Sequence, residues 1–430
     1  MKKYQISQEN IKFKKWLKYF NNLHHQPLDL SLERIKCIAI NLKLLFPAKV
    51  VFTVAGTNGK GTTCRILETI LLAAGFRVGV YSSPHLLCYT ERVRIQGKKL
   101  SIIEFNNAFS IIEKNRNKIL LTYFEFGTLS ALYLLKKEKL DIVILEVGLG
   151  GRLDATNIID PSISIITNIE IDHIDKLGNT RESIGNEKAG IFRNGKSAII
   201  GQLNIPKNIK KIANQINTPL YHNGVDWNYF IKDNYWQWQN SKIIMTNLPK
   251  PNIPLINAAT ALAALHYSNL NVNQHAINIG LKNACLPGRF QFICQEPRII
   301  LDVAHNLHAV HYLIHRLINL PIYNGKIRAV VAMLLDKDIS SILTYMRKYI
   351  DIWYCSSLNV PRGADAEFLS QYLSKSYNFK NIHTALKKAI LDSKKQDIII
   401  IFGSFYTISK TIITLNKNKN IFYKKIKFTF

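Results

Sequence analysis

The sequence predicts an α/β protein with mostly parallel sheets, divided into two domains. Two observations predict it. Short apolar runs of strand length alternate with longer amphipathic segments, the pattern of a sheet covered on both faces. The alternation breaks once, at Leu286-Pro287-Gly288-Arg289, and a second α/β series follows.

The elements follow in chain order. Residues 50–54 read as a strand, followed by a Gly-rich turn and a helix over 62–74. A second strand is expected at 77–81, a helix at 127–137 and a buried strand at 141–145. Residues 162–167 and 197–200 continue in the same style. Residues 221–247 differ. Trp227, Tyr235, Trp236 and Trp238 stand among polar residues there, which predicts a short antiparallel insertion with a small local core. A helix begins near Asn257. Beyond the break, strands are expected at 299–303, 327–331, 352–355 and 397–402. The boundary gives one domain at 1–287 and a smaller one at 288–430. The Lys-rich tail from Lys417 is expected to fray.

Composition narrows the function classes. Apolar residues make up 47% of the 430, and charged residues 20%, which excludes a disordered chain, a collagen-like fibre and a simple coiled coil. Lys plus Arg exceeds Asp plus Glu by 57 − 29, a net charge of +28. Such a chain attracts polyanions. Its basic residues are spread along the chain rather than gathered, which favours a biased composition over a nucleic-acid face. Six cysteines show neither C-x-x-C nor zinc-finger spacing, so buried free thiols in a reducing compartment are expected. There is no apolar signal segment and no run long enough to span a membrane. A cytoplasmic protein is expected, with no nucleic-acid or membrane partner, and monomeric.

The segment Val54-Ala55-Gly56-Thr57-Asn58-Gly59-Lys60-Gly61-Thr62-Thr63 lies between a predicted strand and a predicted helix. That is the setting of a phosphate loop. Glycines let backbone wrap a phosphate, and a helix N-terminus offers unpaired N–H groups. Lys60 would neutralise phosphate oxygens, and a Thr hydroxyl could reach Mg²⁺. The strict P-loop spacing is not kept: Val54 takes the first glycine's place, and Gly61 separates Lys60 from the first Thr. A tight strand–helix turn is the other reading. Glu146, at the end of the strand at 141–145, suits either a metal or a salt bridge. Gly148-Leu149-Gly150-Gly151 is not a dinucleotide loop, because Leu153 stands where G-x-G-x-x-G needs glycine.

The loop Ala55-Gly56-Thr57-Asn58-Gly59-Lys60-Gly61-Thr62-Thr63 resembles that of the Mur ligase superfamily, and its extra glycine resembles the folylpolyglutamate and dihydrofolate synthase branch. Tyr81-Ser82-Ser83-Pro84-His85-Leu86, the run from Leu145 to Asn157, Glu187-Lys188-Ala189-Gly190, Leu286-Pro287-Gly288-Arg289-Phe290 and Leu301-Asp302-Val303-Ala304-His305-Asn306 support the same branch. The matches run from about residue 25 to residue 405, and are closest to its bifunctional bacterial members. The resemblance implies an N-terminal domain of the P-loop ATPase type with a mostly parallel sheet, and a smaller C-terminal Rossmann-like α/β domain. It implies an ATP-dependent amide ligase that adds L-glutamate to 7,8-dihydropteroate and to reduced folates through an acyl phosphate.

Site residues follow from the resemblance. ATP would be bound by Thr57, Asn58, Gly59, Lys60, Gly61, Thr62, Asn257, Arg289 and Asp302. One or two Mg²⁺ ions would be held by Ser83, Glu146 and His173, with Lys188 carbamylated so that a cation becomes an anionic ligand. Lys60 and Lys188 are the catalytic pair. The pterin pocket would comprise Asp29, Leu30, Ser31 and Leu32; Thr122, Tyr123, Phe124 and Glu125; and Leu153, Asp154 and Ala155. Phe124 could stack on the ring, and acids accept its N–H donors. From spacing alone Lys188 would be a surface lysine, His173 a solvated loop residue and the pterin set core and loop. His305 stays open between a nucleotide contact and glutamate positioning. Two positions depart from the family pattern, Leu307 in place of Pro and Leu335 in place of His, and leave the glutamate site unassigned. A peptidoglycan amino-acid ligase and a basic nucleic-acid-binding NTPase are the alternative functions.

Overall fold

The computed structural model describes residues 8–23, 31–232, 235–320 and 325–417. Asp29, Leu30 and the tail beyond Lys417 lie outside the described residues. The chain divides into two compact units, Met1–Cys285 and Leu286–Phe430.

The first unit is built on β1 (Ala48–Ala55), β2 (Val78–Tyr81), β3 (Val93–Ile95), β4 (Lys98–Lys99), β5 (Leu140–Glu146), β6 (Ile163–Ile166), β7 (Ser197–Ile200) and β8 (Leu220–His222). They form one sheet in the order β4-β3-β2-β5-β1-β6-β7-β8. β3 and β4 run antiparallel at one edge, and every other pairing is parallel. Successive side chains point to opposite faces. Phe52, Val54, Ile142 and Ile144 therefore enter one core, and Val51, Val143 and Leu145 another. Both faces are covered, which is why these strands are almost wholly apolar. The helix Lys60–Ala73 packs between the sheet and the helices Leu255–His266 and Gln274–Asn283, so it is buried nearly all round.

β9 (Trp227–Lys232), β10 (Tyr235–Asn240) and β11 (Ile244–Pro249) make the antiparallel insertion. Its expected separate core needs correction. Trp227, Trp236 and Trp238 are fully buried, but they join the core of the main sheet with Ile199 and Leu262. Three indoles present more apolar area than one small sheet can cover, so a helix covers them. Tyr235 is exposed.

The second unit holds β12 (Gln291–Gln295), β13 (Arg298–Leu301), β14 (Ile327–Val331), β15 (Ile352–Ser356), β16 (Ser376–Phe379) and β17 (Ile398–Phe402), ordered β12-β13-β17-β14-β15-β16. Only β12 is antiparallel to its neighbour. β17 lies between two parallel strands, and all five of its residues are buried.

The helix expected at 127–137 starts earlier, at Tyr123. Thr122 and Glu125 form a reciprocal capping box that fixes the start. The cysteines are all free, but not all buried: Cys37 and Cys285 are exposed and Cys88 is half-buried. Among the described residues, no helix is long and apolar enough to cross a membrane.

Candidate functional site

In register, Val54 of β1 stands beside Glu146 of β5, and Ala55 beside Ile166 of β6. The Gly-rich loop thus emerges between two strand ends, in the kind of crevice where open α/β sheets bind ligands. Two glycines are required there. Gly56 has φ +147°, and a Cβ would meet Thr167 Oγ1 at 1.8 Å. Gly59 has φ +83°, and a Cβ would meet Asn257 Oδ1 at 2.6 Å. The residues after β6 fasten the loop. Thr167 Oγ1 donates to Asn58 O at 2.6 Å. Asn58 N–H donates to Asn168 Oδ1 at 2.8 Å, and Thr57 N–H to Asn168 O at 3.1 Å. Thr57 Oγ1 accepts from Glu170 N–H. Asn257 Nδ2 donates to Thr62 Oγ1 at 2.6 Å, which joins those two predicted residues. Lys60 opens its helix, and its Nζ donates to Gly56 O at 2.8 Å and Thr57 O at 3.4 Å. The ammonium therefore lies over the loop's own turn. Sequence reasoning missed Thr167, Asn168 and Glu170. Their signal was a polar run directly after a buried strand.

Lys188 overturns the surface reading. It sits on the helix Arg181–Ala189 and is 2% exposed. Burial, aided by the Lys60 charge and opposed by Asp172, pushes its pKa down to about 7.

Glu146 is buried at the end of β5 and accepts a hydrogen bond from Ser83 N–H at 3.1 Å. The register of Tyr81 with Leu145 brings this pair together. His173 is exposed, with φ +54°, and begins the one-turn helix Ile174–Leu177. Among the described residues, no group of three or more His, Cys, Asp and Glu side chains is gathered as a metal cage. Glu146 and Ser83 are nonetheless hard oxygen donors of the kind Mg²⁺ takes, and Mg²⁺ needs only one or two protein ligands beside water and phosphate. The preceding residue, Ser82, accepts from Arg94 Nη1 at 3.0 Å, and Arg94 Nη2 donates to the fully buried Glu68 at 2.9 Å. Glu68, an acid among Ile66, Leu67, Ile70 and Leu71, is marked by no motif.

On the other face, Phe124 stacks on Tyr81, with ring centroids 6.1 Å apart, and packs against Gly148. Glu125 Oε2 accepts from Thr122 N–H, and Oε1 from Arg34 Nη2 at 3.1 Å. Asp154 is buried, and burial pushes its carboxyl up. It accepts from Gly148 N–H, Leu149 N–H, Thr156 N–H and Thr156 Oγ1, and so fastens the glycine turn. Ala155 is buried, and Leu153, Ser31 and Leu32 are half-buried. His85 Nδ1 accepts from Arg92 Nε–H at 3.0 Å. Burial and the Arg92 charge push His85 down to about 4, so its ring is neutral at pH 7.

In the second unit, Asp302 accepts from Phe290 N–H and Ala304 N–H, both at 2.8 Å. Arg289 lies 5.1 Å from the Phe405 ring, and the His305 ring is tilted against the same ring, centroids 6.4 Å apart. Phe405, which no motif marked, thus holds both. Leu307 and Leu335 are exposed.

Comparison with known proteins agrees across the chain. The Mur ligase middle domain matches residues 54–265, and the Mur ligase glutamate ligase domain matches residues 288–405. The Escherichia coli (strain K12) dihydrofolate synthase/folylpolyglutamate synthase is 50% identical over 405 residues, 94% of this chain and 96% of that one. A structure of E. coli FolC in complex with DHPP and ADP superposes with TM-score 0.93 at 49% identity, covering 96% of this chain and all of that one. The Yersinia pestis CO92 bifunctional folylpolyglutamate synthase/dihydrofolate synthase gives TM-score 0.91 at 53% identity, over 95% of this chain and all of that one. The chain therefore belongs to the Mur ligase family, in its dihydrofolate synthase/folylpolyglutamate synthase branch.

Proposed function

We infer that the protein is an ATP-dependent amide ligase that joins L-glutamate to 7,8-dihydropteroate, giving dihydrofolate, and to reduced folates, extending their glutamate tails. The observation that carries this reading is the loop Gly56–Thr62 between Glu146 and Thr167, with the Lys60 charge bearing on the buried Lys188. The similarity over more than nine-tenths of the chain to bacterial enzymes bearing that name supports the substrates.

The acceptor's carboxylate oxygen attacks the γ-phosphorus of ATP, and ADP leaves. The glutamate amine then attacks the acyl phosphate carbonyl, loses a proton, and inorganic phosphate departs. The loop N–H groups and Lys60 hold the phosphates and match the charge that builds on them. Asn257 keeps Thr62 in place at the start of the helix. Glu146, Ser83 and His173 would hold Mg²⁺, which when bound supplies further positive charge to the phosphate oxygens. Lys188, neutral above about pH 7, is the form of amine that adds CO₂. The resulting carbamate would sit as an anion beside Lys60. Arg289 and Asp302 are the nucleotide contacts proposed for the second unit. The residues 1–287 bind ATP and pterin, and 288–430 serve glutamate ligation. Phe124, backed by the buried Tyr81 ring, is the aromatic wall for the pterin. A cytoplasmic setting, where thiols stay reduced, suits six unpaired cysteines.

The test is phosphate release from Mg·ATP with L-glutamate, comparing 7,8-dihydropteroate, tetrahydrofolate and no acceptor. Stimulation by both is expected. No stimulation by either sinks the folate reading. Lys60→Ala is expected to lower kcat on the order of 10²–10³. Near-normal turnover would remove Lys60 from the machinery.

A further inference from the structure

Arg92 ends the short turn Tyr89–Arg92 and is only 7% exposed. A desolvated guanidinium ordinarily sits against a carboxylate or phosphate, because a buried charge without one is costly. Arg94, two residues on, obeys this through Glu68. Arg92 does not. Its Nε–H donates to the His85 Nδ1, and its charge lies over two rings, 4.9 Å from the Tyr89 centroid and 5.5 Å from that of Tyr123. The Tyr81 hydroxyl is a further neighbour. Among the described residues it has no carboxylate in an ion pair. His85 and Tyr81 take up only part of its five N–H donors.

Arg92 stands at the acceptor side. Tyr123 belongs to the segment Thr122–Glu125, and Tyr81 stacks on Phe124. We propose that Arg92 is a specificity-determining contact whose Nη donors read the pterin edge bearing the 4-oxo oxygen and N5. This rests on the folate reading above. A 2-amino-4-oxo pterin presents that oxygen and nitrogen as guanine presents O6 and N7, the edge to which arginine pairs bidentately. In 7,8-dihydropteroate, N5 is an imine nitrogen and accepts. In tetrahydrofolate it carries a hydrogen and donates, so the fork keeps one acceptor. Arg92 therefore favours the dihydro acceptor, and His85 fixes the plane of the fork.

The test uses the full chain, as wild type, Arg92→Met and Arg92→Lys, with both acceptors. Arg92→Met is expected to raise KM for dihydropteroate about 10- to 100-fold. KM for tetrahydrofolate should rise several-fold less, with KM for ATP unchanged. Arg92→Lys restores charge without the fork and should recover only part of the loss. An equal rise for both acceptors, full recovery by Lys, or no rise at all overturns the proposal. A 5-deaza analogue of dihydropteroate, with C–H in place of N5, tests the same bond on the unaltered chain. It should bind about 10-fold more weakly to wild type, and equal affinity overturns the proposal. Wild type that uses neither acceptor would instead sink the folate reading, and this inference with it.

Discussion

At the scale of the residue, environment changes what a side chain is. Lys188 and Lys60 have the same functional group, yet one is buried on its helix and the other lies over the loop. In the folded chain Lys188 holds its proton only below about pH 7. In the unfolded chain it holds it to about pH 10.4. The unfolded state binds the extra proton across that window, so the stability contributed by this site rises with pH through it. Lys188→Met removes the group. In CO₂-depleted buffer its gain in melting temperature over wild type should be largest near pH 6 to 7 and shrink towards about pH 10. A gain independent of pH would place the amine in solvent. Nothing in Glu187-Lys188-Ala189 announces this burial. It comes from the strands and loops that close over the helix, which only the fold assembles.

At the scale of the element, the Gly-rich loop is a strand end, two strained glycines and a helix start acting together. Gly56→Ala forces a Cβ into the Thr167 hydroxyl, at a φ that L residues rarely adopt. The substitution should cost about 1–3 kcal/mol in urea unfolding, and it should abolish the rise in melting temperature caused by a non-hydrolysable ATP analogue. Retained nucleotide binding would mean that the loop tolerates another path. The glycines, Lys60 and the hydroxyls were legible in the sequence because local backbone demands are local. Thr167, Asn168 and Glu170 could be seen as polar residues after a strand, but their partnership with the loop could not, because it depends on β6 lying beside β1, more than a hundred residues away. The helix at Tyr123 was legible in principle through Thr122 and Glu125, a capping pair three residues apart.

At the scale of the whole molecule, the basic residues behind the net charge of +28 are spread along the chain rather than gathered at the loop. Phosphate release should therefore be unchanged by added duplex DNA at about 0.15 M salt, where exposed charges are screened beyond ~8 Å. Stimulation by DNA would revive the nucleic-acid alternative. By itself the sequence determined the α/β class and a Gly-rich loop between a strand and a helix, because strand length, apolar periodicity and glycine punctuation are written in neighbouring residues. Only the tertiary structure decided that Glu146 stands beside the loop, that three tryptophans belong to the main core, that Lys188 is buried and that Arg92 lies between tyrosines. Strand order and burial arise from contacts between residues far apart in the chain, and no local pattern encodes which of them meet.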